Sequence, residues 1–382
     1  MEEAKKNEIS DNKTISYTEG KGNKMVSISF IRNFIAQVLQ VENLNFFIGA
    51  GCSSHIENKQ EIGIPKMKFM YEDFFDKNQD FEIAKKDVKE QFDYNLEKML
   101  EVMNSISVTN TIFNVDSKID DKIHLVQKFI RQTIIDKLHV EKIKNYYKNF
   151  YSKISQKNRI NPINIFTTNY DLYNEMALDE LGFLYNSGFS GTYKRKFNPN
   201  SYNYTYVENM SINRDIWEQI STFYNLIKLH GSISWLRENN NIWETDYDKI
   251  EDKNTTMIYP TPLKDRSTLM VPYSDLFRIM ENKIMKKNST LIVLGYSFGD
   301  AHINRIIMNA LSNTTFKLII FGKSDEIEKL KKYADNRIVI INSNDKIHYF
   351  KSFIENILPN IHPDVEEKLN FNKQNEEIIE NE

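Results

Sequence analysis

The segment IVLGYSFGD, at Ile292–Asp300, is a short apolar run that stops abruptly at glycine, serine and aspartate. Three more segments share this form: FFIGAGCS at Phe46–Ser53, IFTTNYD at Ile165–Asp171 and IKLHGS at Ile227–Ser232. Short apolar runs bounded by turn residues are typical of buried β-strands. In an open α/β sheet, ligands bind outside the carboxyl ends of the strands. The four segments therefore predict four strand ends around one pocket.

Strand and helix patterns alternate along much of the chain. The alternation predicts an α/β fold, with a Rossmann-like, mostly parallel sheet and helices on both of its faces. The predicted strands are Leu44–Ile48, Ile163–Thr167, Leu226–Leu229, Ile233–Leu236, Met257–Tyr259, Thr290–Leu294, Lys317–Phe321 and Ile338–Ile341. The predicted helices include Ile28–Gln40, Leu172–Leu181, Ser274–Lys287, His302–Leu311, Asp325–Tyr333 and Ile347–Ile357.

The ends of the chain and one long internal stretch differ from this pattern. Residues 1–25 are poor in apolar side chains and are expected to be disordered, and residues 361–382 are expected to form a flexible acidic tail. Residues 26–360 are expected to form one domain. Glycine and proline are both absent from Lys66 to Asn161, and the apolar spacing there is helical. We therefore expect a large helical insertion at about residues 66–160.

Composition restricts the classes of function. The chain has 382 residues and a formal net charge of -3, so nothing indicates direct nucleic-acid binding. Cys52 is the only cysteine, which excludes an internal disulfide and a cysteine-rich zinc site. Neither a signal peptide nor an apolar run of membrane-spanning length is visible. We expect a cytoplasmic protein without a membrane partner.

The glycine turns suit phosphate groups. Gly49 and Gly51 permit close approach of a ligand to the backbone, and a helix expected after them would favour a phosphate at its N-terminus. Taken alone, this segment is equally compatible with an ordinary strand-to-helix turn. Gly295 and Ser297 fit a second phosphate or ribose contact, and GIP at Gly63–Pro65 predicts a fixed turn in a loop over the site.

The polar residues at the other strand ends suit water and ribose hydroxyls. Asn169 offers a donor and an acceptor together, and Asp171 can accept from an amide or a ribose. A helix cap explains one or two of the polar residues that begin at Thr168, but not all of them. His230 suits a general base, with a structural role equally compatible.

Two further residues have simpler interpretations. Cys52 follows a glycine turn, where small residues usually serve packing, so a nucleophilic thiol is disfavoured. Asp300 is a natural N-cap for the helix predicted at His302–Leu311, and His302 is expected to lie in its first turn without a functional role.

Taken together, GAG, GIP, TTNYD, LHGS and GYSFGD resemble the sirtuin-like NAD-binding family, and most closely its bacterial anti-phage defence branch. The resemblance spans roughly Phe46–Phe321, interrupted by the insertion. It implies that NAD+ binds across the strand ends of a Rossmann-like sheet. The family's catalytic positions would fall on Asn169 for water or ribose, His230 as the base and Asp171 for the nicotinamide amide. The positions that would bind the dinucleotide are Gly49, Ala50, Gly51, Ser53, Pro65, Thr168, Gly231, Ser232, Gly295 and Ser297.

Two departures from the family pattern disfavour protein deacylation. One cysteine cannot supply the four-cysteine zinc module of deacylating sirtuins, and the arginine of their GIPDFR loop is missing from GIPKMKF at Gly63–Phe69. We therefore expect a zinc-less NAD+ glycohydrolase that yields nicotinamide and ADP-ribose. The alternatives are a non-catalytic sensor of NAD or ADP-ribose and, less favoured, a protein deacylase or ADP-ribosyltransferase.

Control of such an activity is expected because free NAD+ hydrolysis would harm the cell. We therefore expect a homo-oligomer or a partner subunit, and the resemblance implies that such a partner is a HerA-type hexameric ATPase or another phage-sensing protein. The helical insertion is the expected assembly surface, unless its apolar stripes pack on the sheet.

Overall fold

A computed structural model describes residues 15–57, 60–83, 85–113, 118–155, 159–211, 216–220, 222–239, 241–250, 255–257 and 271–360. In chain order its strands are β1 (Ile15–Glu19), β2 (Gly22–Val26), β3 (Asn43–Ile48), β4 (Ser54–Glu57), β5 (Gln60–Gly63), β6 (Glu82–Ile83), β7 (Lys86–Asp87), β8 (Ile163–Thr167), β9 (Leu184–Asn186), β10 (Phe189–Ser190), β11 (Arg195–Phe197), β12 (Val207–Ser211), β13 (Ile216–Gln219), β14 (Phe223–Lys228), β15 (Gly231–Glu238), β16 (Asn241–Glu244), β17 (Thr255–Met257), β18 (Ser289–Leu294), β19 (Lys317–Phe321) and β20 (Ile338–Asn342). The helices are α1 (Ile28–Val38), α2 (Met67–Lys77), α3 (Leu96–Phe113), α4 (Ile119–Asp136), α5 (Glu141–Ile154), α6 (Tyr173–Glu180), α7 (Tyr273–Ile284), α8 (Ala301–Asn309), α9 (Asp325–Leu330) and α10 (Phe350–Ser352, continuing as a π turn over Phe353–Ile357).

Nine strands form the central sheet, in the order β2-β1-β20-β19-β18-β3-β8-β14-β9. Every neighbouring pair from β20 to β9 is parallel, whereas β1 runs antiparallel to β20 and to β2. Counted along the chain, β3, β8, β14, β18, β19 and β20 lie in the doubly wound order 3-2-1-4-5-6. The predicted Rossmann-like α/β fold is confirmed. The strand order reverses between β3 and β18, which is where such sheets bind ligands.

Both faces of the sheet are covered, because successive side chains of a strand point to opposite faces. Phe46 of β3 packs edge-on against Phe150 of α5, with ring centroids 5.1 Å apart. Its neighbour Phe47 points to the other face and lies 4.6 Å from the ring of Tyr296. Two large apolar cores follow, one shared with α1, α5 and α6 and the other with α7 and α8. This double burial explains why the central strands read as continuous apolar runs.

The expectation of disorder over residues 1–25 is wrong for residues 15–25. They belong to the hairpin of β1 and β2, and β1 extends the central sheet by pairing with β20. Tyr17 is buried there and packs edge-on against Phe30 and Phe34 of α1. Few residues of this segment are apolar, but those on one face of β1 are buried against the neighbouring strand and helix. Residues 1–14 lie outside the described part of the chain, as does the tail at 361–382.

The helix expected after the GAG turn is also wrong. A single 3-10 turn covers Ala50–Cys52, and the chain then enters β4, which forms a hairpin with β5. The N–H of Ile64 donates to the carbonyl of Ser53 at 2.9 Å. The carbonyl of Ser53 is therefore paired with the GIP segment and does not accept a helical hydrogen bond. No long helix N-terminus is available at this turn for a phosphate.

The segment between β5 and β8 is largely helical and lies across one end of the sheet. Helices α2, α3 and α4 share an apolar core with Tyr170 and Ile233, two residues that follow strands β8 and β14. Helix α5 instead packs on the face of the sheet. A separate five-stranded sheet, in the order β10-β11-β16-β15-β17, flanks the domain. The strand predicted at Met257–Tyr259 lies only partly within the described residues and ends there as Thr255–Met257. Among the described helices, none is both long and apolar enough to cross a bilayer.

Candidate active site

A cavity of about 480 Å³ opens at the carboxyl ends of the central strands. Five chain segments meet around it: the GAG turn, the GIP loop, the loop after β8, the turn after β14 and the loop after β18. The single pocket predicted from four strand ends is thus present in the structure. Its lining residues are Ala50, Gly51, Ser53, Ile64, Pro65, Lys66, Met67, Met70, Asn95, Glu97, Ile130, Ile134, Thr168, Asn169, Tyr170, Asp171, His230, Gly295, Tyr296, Ser297, Gly299 and Asp300.

Glycines bring the two loops of the switch point into backbone contact. The N–H of Gly51 donates to the carbonyl of Gly295 at 2.9 Å. A Cβ at Gly49 would lie 2.5 Å from that same carbonyl oxygen. Gly295 has a φ of +64°, and a Cβ there would lie 2.7 Å from the backbone nitrogen of Cys52. Only glycine allows this close approach, which forms a floor of bare backbone across the site.

Asn169 is held in one orientation by its amide nitrogen. Its Nδ2 donates to the carbonyl of Gly49 at 3.1 Å and to Oγ of Ser53 at 2.9 Å. Because the Gly49 carbonyl can only accept, the NH2 end of the amide must face it. The Oδ1 atom is buried and has no hydrogen-bond partner among the described residues. Asn169 also lines the cavity, so this oxygen is a candidate acceptor for a ligand or water.

A chain of hydrogen bonds from Asp171 through Ser53 holds Asn169 in place. The hydroxyl of Ser53 donates to Oδ2 of Asp171 at 2.7 Å and lies 3.0 Å from the hydroxyl of Tyr147. Since the single proton of Ser53 is directed at the carboxylate, Tyr147 acts as a donor to Ser53. The other carboxylate oxygen accepts from the N–H of Tyr173 at 3.1 Å. Burial raises the pKa of Asp171, against the opposing effects of Lys228 and of Ser53.

His230 is paired with an aspartate from another loop. Its Nε2 lies 3.3 Å from Oδ2 of Asp300, and both residues are largely buried at the cavity wall. Oδ1 of Asp300 also accepts from the N–H groups of His302 and Ile303, so the residue caps α8 as predicted. A carboxylate on one ring nitrogen of histidine fixes the tautomer and leaves the other nitrogen as an acceptor. Sequence reasoning missed this second role of Asp300, because it gave the residue only the local cap.

A buried lysine ties the two polar loops together. Nζ of Lys228 donates to Oε1 of Glu175 at 2.9 Å, to Oγ of Ser232 at 3.0 Å and to the carbonyl of Asp171. All three ammonium protons are therefore satisfied in a site that water does not reach. Lys228 is two residues before His230, so the contact joins the strand that carries the histidine to the loop that carries Asn169.

The helical insertion closes the cavity on the side away from the sheet. Met67 and Met70 of α2 and Ile130 and Ile134 of α4 form an apolar wall there. Glu97, in the first turn of α3, lines the same wall. None of these residues was predicted for the site. Their sequence signal was the apolar spacing of the helices, which also fits ordinary core packing.

Not every predicted site residue lies on the cavity wall. Gly231 and Ser232 are absent from the lining of this cavity, because the Ser232 hydroxyl is turned toward Lys228 and Ser234. Gly49 does not line this cavity either, but its carbonyl accepts from Asn169, which does. Cys52 is fully buried, and burial first, then the Asp171 carboxylate, raise the pKa of its thiol well above the usual value. A nucleophilic thiolate is thus disfavoured by the structure as well.

A second cavity of about 240 Å³ continues the first one across the switch point. Its walls come from the ends of β3, β18 and β19, from β4 and from the segment before α10. The two cavities share Gly51, Lys66, Gly295, Tyr296 and Ser297. A ligand with two arms joined over the glycine floor would therefore occupy both. Within the described ranges, no group of three or more His, Cys, Asp or Glu side chains is arranged to hold a metal ion.

Comparison with known proteins agrees with this geometry. Residues 163–341 match the family described as a SIR2-like domain, which is slightly less than half of the chain. The match runs from β8 into β20, so it includes Asn169, His230 and the loop after β18. Among curated proteins, none matches the chain. The chain therefore carries a SIR2-like domain at residues 163–341, which supports the sirtuin-like family and fits an enzyme that uses NAD+.

Proposed function

We propose that this protein is an NAD+ glycohydrolase that cleaves the bond between nicotinamide and ribose and releases nicotinamide and ADP-ribose. The observation that carries the proposal is Oδ1 of Asn169, which has no hydrogen-bond partner in the described part of the chain, on a residue that lines the same cavity as the pair of His230 and Asp300. An unpaired acceptor in the same cavity as a histidine is suited to holding a water or a ribose hydroxyl.

The reaction places modest demands on the protein. Nicotinamide leaves as a neutral amide when its bond to the ribose carbon breaks, so no acid has to protonate it. Water then supplies the oxygen of the new bond, and its proton passes to the free nitrogen of His230 or to solvent. Asn169 and His230 position this water, and positioning alone supplies up to about 7–11 kcal/mol in the best cases. Asp300 holds the histidine, and Asp171 acts through Ser53 to hold Asn169.

The shape of the site supports a dinucleotide as the substrate. The nicotinamide arm would lie in the larger cavity beside Asn169 and His230, and the adenosine arm in the smaller one over β19. The pyrophosphate would cross the glycine floor near Gly51 and Gly295, with Lys66 close to both cavities. The apolar wall from α2 and α4 would shield the reacting ribose from bulk water.

Other functions remain as alternatives with less support. A sensor of NAD or ADP-ribose would use the same cavities but would not need an unpartnered acceptor beside a fixed histidine. Deacylation or ADP-ribose transfer would need a channel for a protein acceptor. The wall formed by Met70, Ile130 and Ile134 stands where the helical insertion closes the cavity. These observations favour water as the acceptor.

We further propose that assembly controls the activity, in a defence against phage in which NAD+ is depleted. The homo-oligomer or the hexameric ATPase partner would engage the insertion. Its helix α3 exposes Val102, Val108, Ile112 and Phe113, the last two by 69% and 72%. Exposed apolar side chains grouped on one helix are typical of interaction surfaces. Substituting Ile112 and Phe113 by Ser should shift the assembly state in light scattering without unfolding the protein; unchanged assembly would remove this surface from the proposal.

The hydrolase proposal is tested by chromatography. Purified protein is incubated with NAD+ at several protein concentrations, and nicotinamide and ADP-ribose are quantified beside an Asn169→Ala control. We expect product from the wild type alone, rising faster than linearly with protein concentration if assembly activates. Tight NAD+ binding without product at every concentration would favour the sensor instead.

A further inference from the structure

The smaller cavity carries a local excess of basic side chains. Its basic lining residues are Lys66, Lys323, His55 and His348, and no aspartate or glutamate is among the described residues that line it. The chain as a whole carries more acidic than basic residues, 53 against 50, so this bias is local. A cavity wall with cationic and imidazole groups alone favours an anion.

Lys66 and Lys323 stand at different ends of this cavity. Lys66 belongs to the junction with the larger cavity and lies 3.9 Å from Oε1 of Glu61, which offsets part of its charge. Lys323 follows β19 and is exposed, and it forms no ion pair with another described residue. The pyrophosphate expected over the glycine floor accounts for Lys66. It does not account for Lys323, which is available to pair with a second anionic group further along the ligand.

His348 supports a second phosphate at the Lys323 end. Its Nδ1 is buried and has no partner within the ranges that the structure describes, and the residue lines the cavity. Burial first, then Lys323 and Lys346, lower the pKa of this histidine, so it is neutral at neutral pH. A neutral imidazole beside a lysine can donate to a phosphate, and the incoming charge would favour its protonation.

Sites that select the unphosphorylated dinucleotide commonly place a carboxylate on the ribose 2′-hydroxyl, and sites for the 2′-phosphate place a basic residue there. We propose that the smaller cavity binds the 2′-phosphate of an adenine dinucleotide through Lys323 and His348, so that the enzyme accepts NADP+ as well as NAD+. The inference rests on the proposed function for the identity of the ligand. It adds a specificity-determining residue, Lys323, that no part of the NAD+ assignment requires.

The test compares two isomers of equal charge. Adenosine 2′,5′-bisphosphate and adenosine 3′,5′-bisphosphate are titrated into the full chain by calorimetry, beside adenosine 5′-monophosphate. We expect the 2′,5′ isomer to bind at least tenfold more tightly than the 3′,5′ isomer. Lys323→Gln should reduce this preference to less than threefold. Lys332→Gln, which removes a charge outside the cavity, should leave the preference unchanged.

Equal binding of the two isomers, or a preference that survives Lys323→Gln, would overturn the inference. Turnover separates it from the proposed function. Cleavage of NAD+ with NADP+ left intact would overturn the inference and leave the hydrolase standing. A Lys323-dependent preference for the 2′,5′ isomer with neither dinucleotide cleaved would leave the site standing and overturn the hydrolase.

Discussion

Nε2 of His230 lies 3.3 Å from Oδ2 of Asp300, although 70 positions separate the two residues along the chain. The other oxygen of the same carboxylate caps α8, accepting from the N–H of His302 at 3.0 Å. One aspartate therefore begins a helix and faces the histidine of the site. The two roles can be separated experimentally, because asparagine also caps helices but carries no charge.

Asp300→Asn should leave the fold intact and lower kcat by about a hundredfold, at the lower end of the range of general-base effects. The cap would be kept, so the thermal midpoint should change little. Asp300→Ala would remove both roles and should also cost about 1 kcal/mol of stability. Steady-state kinetics and thermal unfolding of both variants check this; an Asp300→Asn enzyme with wild-type kcat would show that the pair is only structural.

Lys228→Met should destabilise the protein strongly, because it leaves Glu175 buried without its ion-pair partner. Removing one partner of a buried pair costs about 3–5 kcal/mol. The double variant Lys228→Met with Glu175→Gln removes both charges and should recover most of that loss. Urea unfolding of the two single variants and the double variant measures the coupling. Simple addition of the two single losses would contradict the described contact.

Gly295→Ala should destabilise by more than about 1–2 kcal/mol, since its φ of +64° is unfavourable for other residues. Its Cβ would in addition lie 2.7 Å from the Sγ and the backbone nitrogen of Cys52. Gly299→Ala is the matched control, because its nearest contact would be Ser297 Oγ at an ordinary 3.5 Å. Denaturant unfolding compares the two. Equal effects would mean that the close contact of the switch-point loops is not required.

Glu244 predicts a pH dependence of stability. Burial raises its pKa from 4.5 to about 7, against the opposing effect of the neighbouring Arg195. A carboxyl whose pKa is raised in the folded state binds more protons there than in the unfolded chain. Its contribution to stability is therefore present below about pH 4.5 and is lost as the pH rises to about 7, by at most about 3 kcal/mol. Comparing wild type with Glu244→Gln by urea unfolding at pH 5 and pH 8 should show a larger loss of stability in the wild type. A pH dependence that is identical in both proteins would refute the assignment.

Much of the sheet follows from the sequence, because its strands are short apolar runs ended by turn residues. The predicted strands Ile163–Thr167 and Lys317–Phe321 have the same bounds in the structure. The turn after β3 was misread because pairing of β4 with β5 depends on a partner strand that local patterns do not show. Lys228 lies inside the apolar run LIKL at Leu226–Leu229, so the sequence pattern gave it no role of its own. Its contacts with Glu175 and Asp171 form only in the folded chain.

The polar residues of the site were found in the sequence through their positions at strand ends. Asn169 and His230 both line the cavity. The wall from α2, α3 and α4 was not found, since an apolar helix face looks the same whether it covers a core or a ligand. The ionic contact of Asp300 depends on tertiary structure in the same way. Residues that act through distant partners are those that sequence patterns alone do not reveal.

The measurement that tests the central claim most directly is the stoichiometry of the two products. Wild-type protein and Asn169→Ala are incubated with NAD+, and nicotinamide and free ADP-ribose are quantified in the same samples. The account predicts equal amounts of both products from the wild type and none above background from a folded Asn169→Ala variant. Nicotinamide without matching free ADP-ribose, or full activity in Asn169→Ala, would contradict hydrolysis at this site.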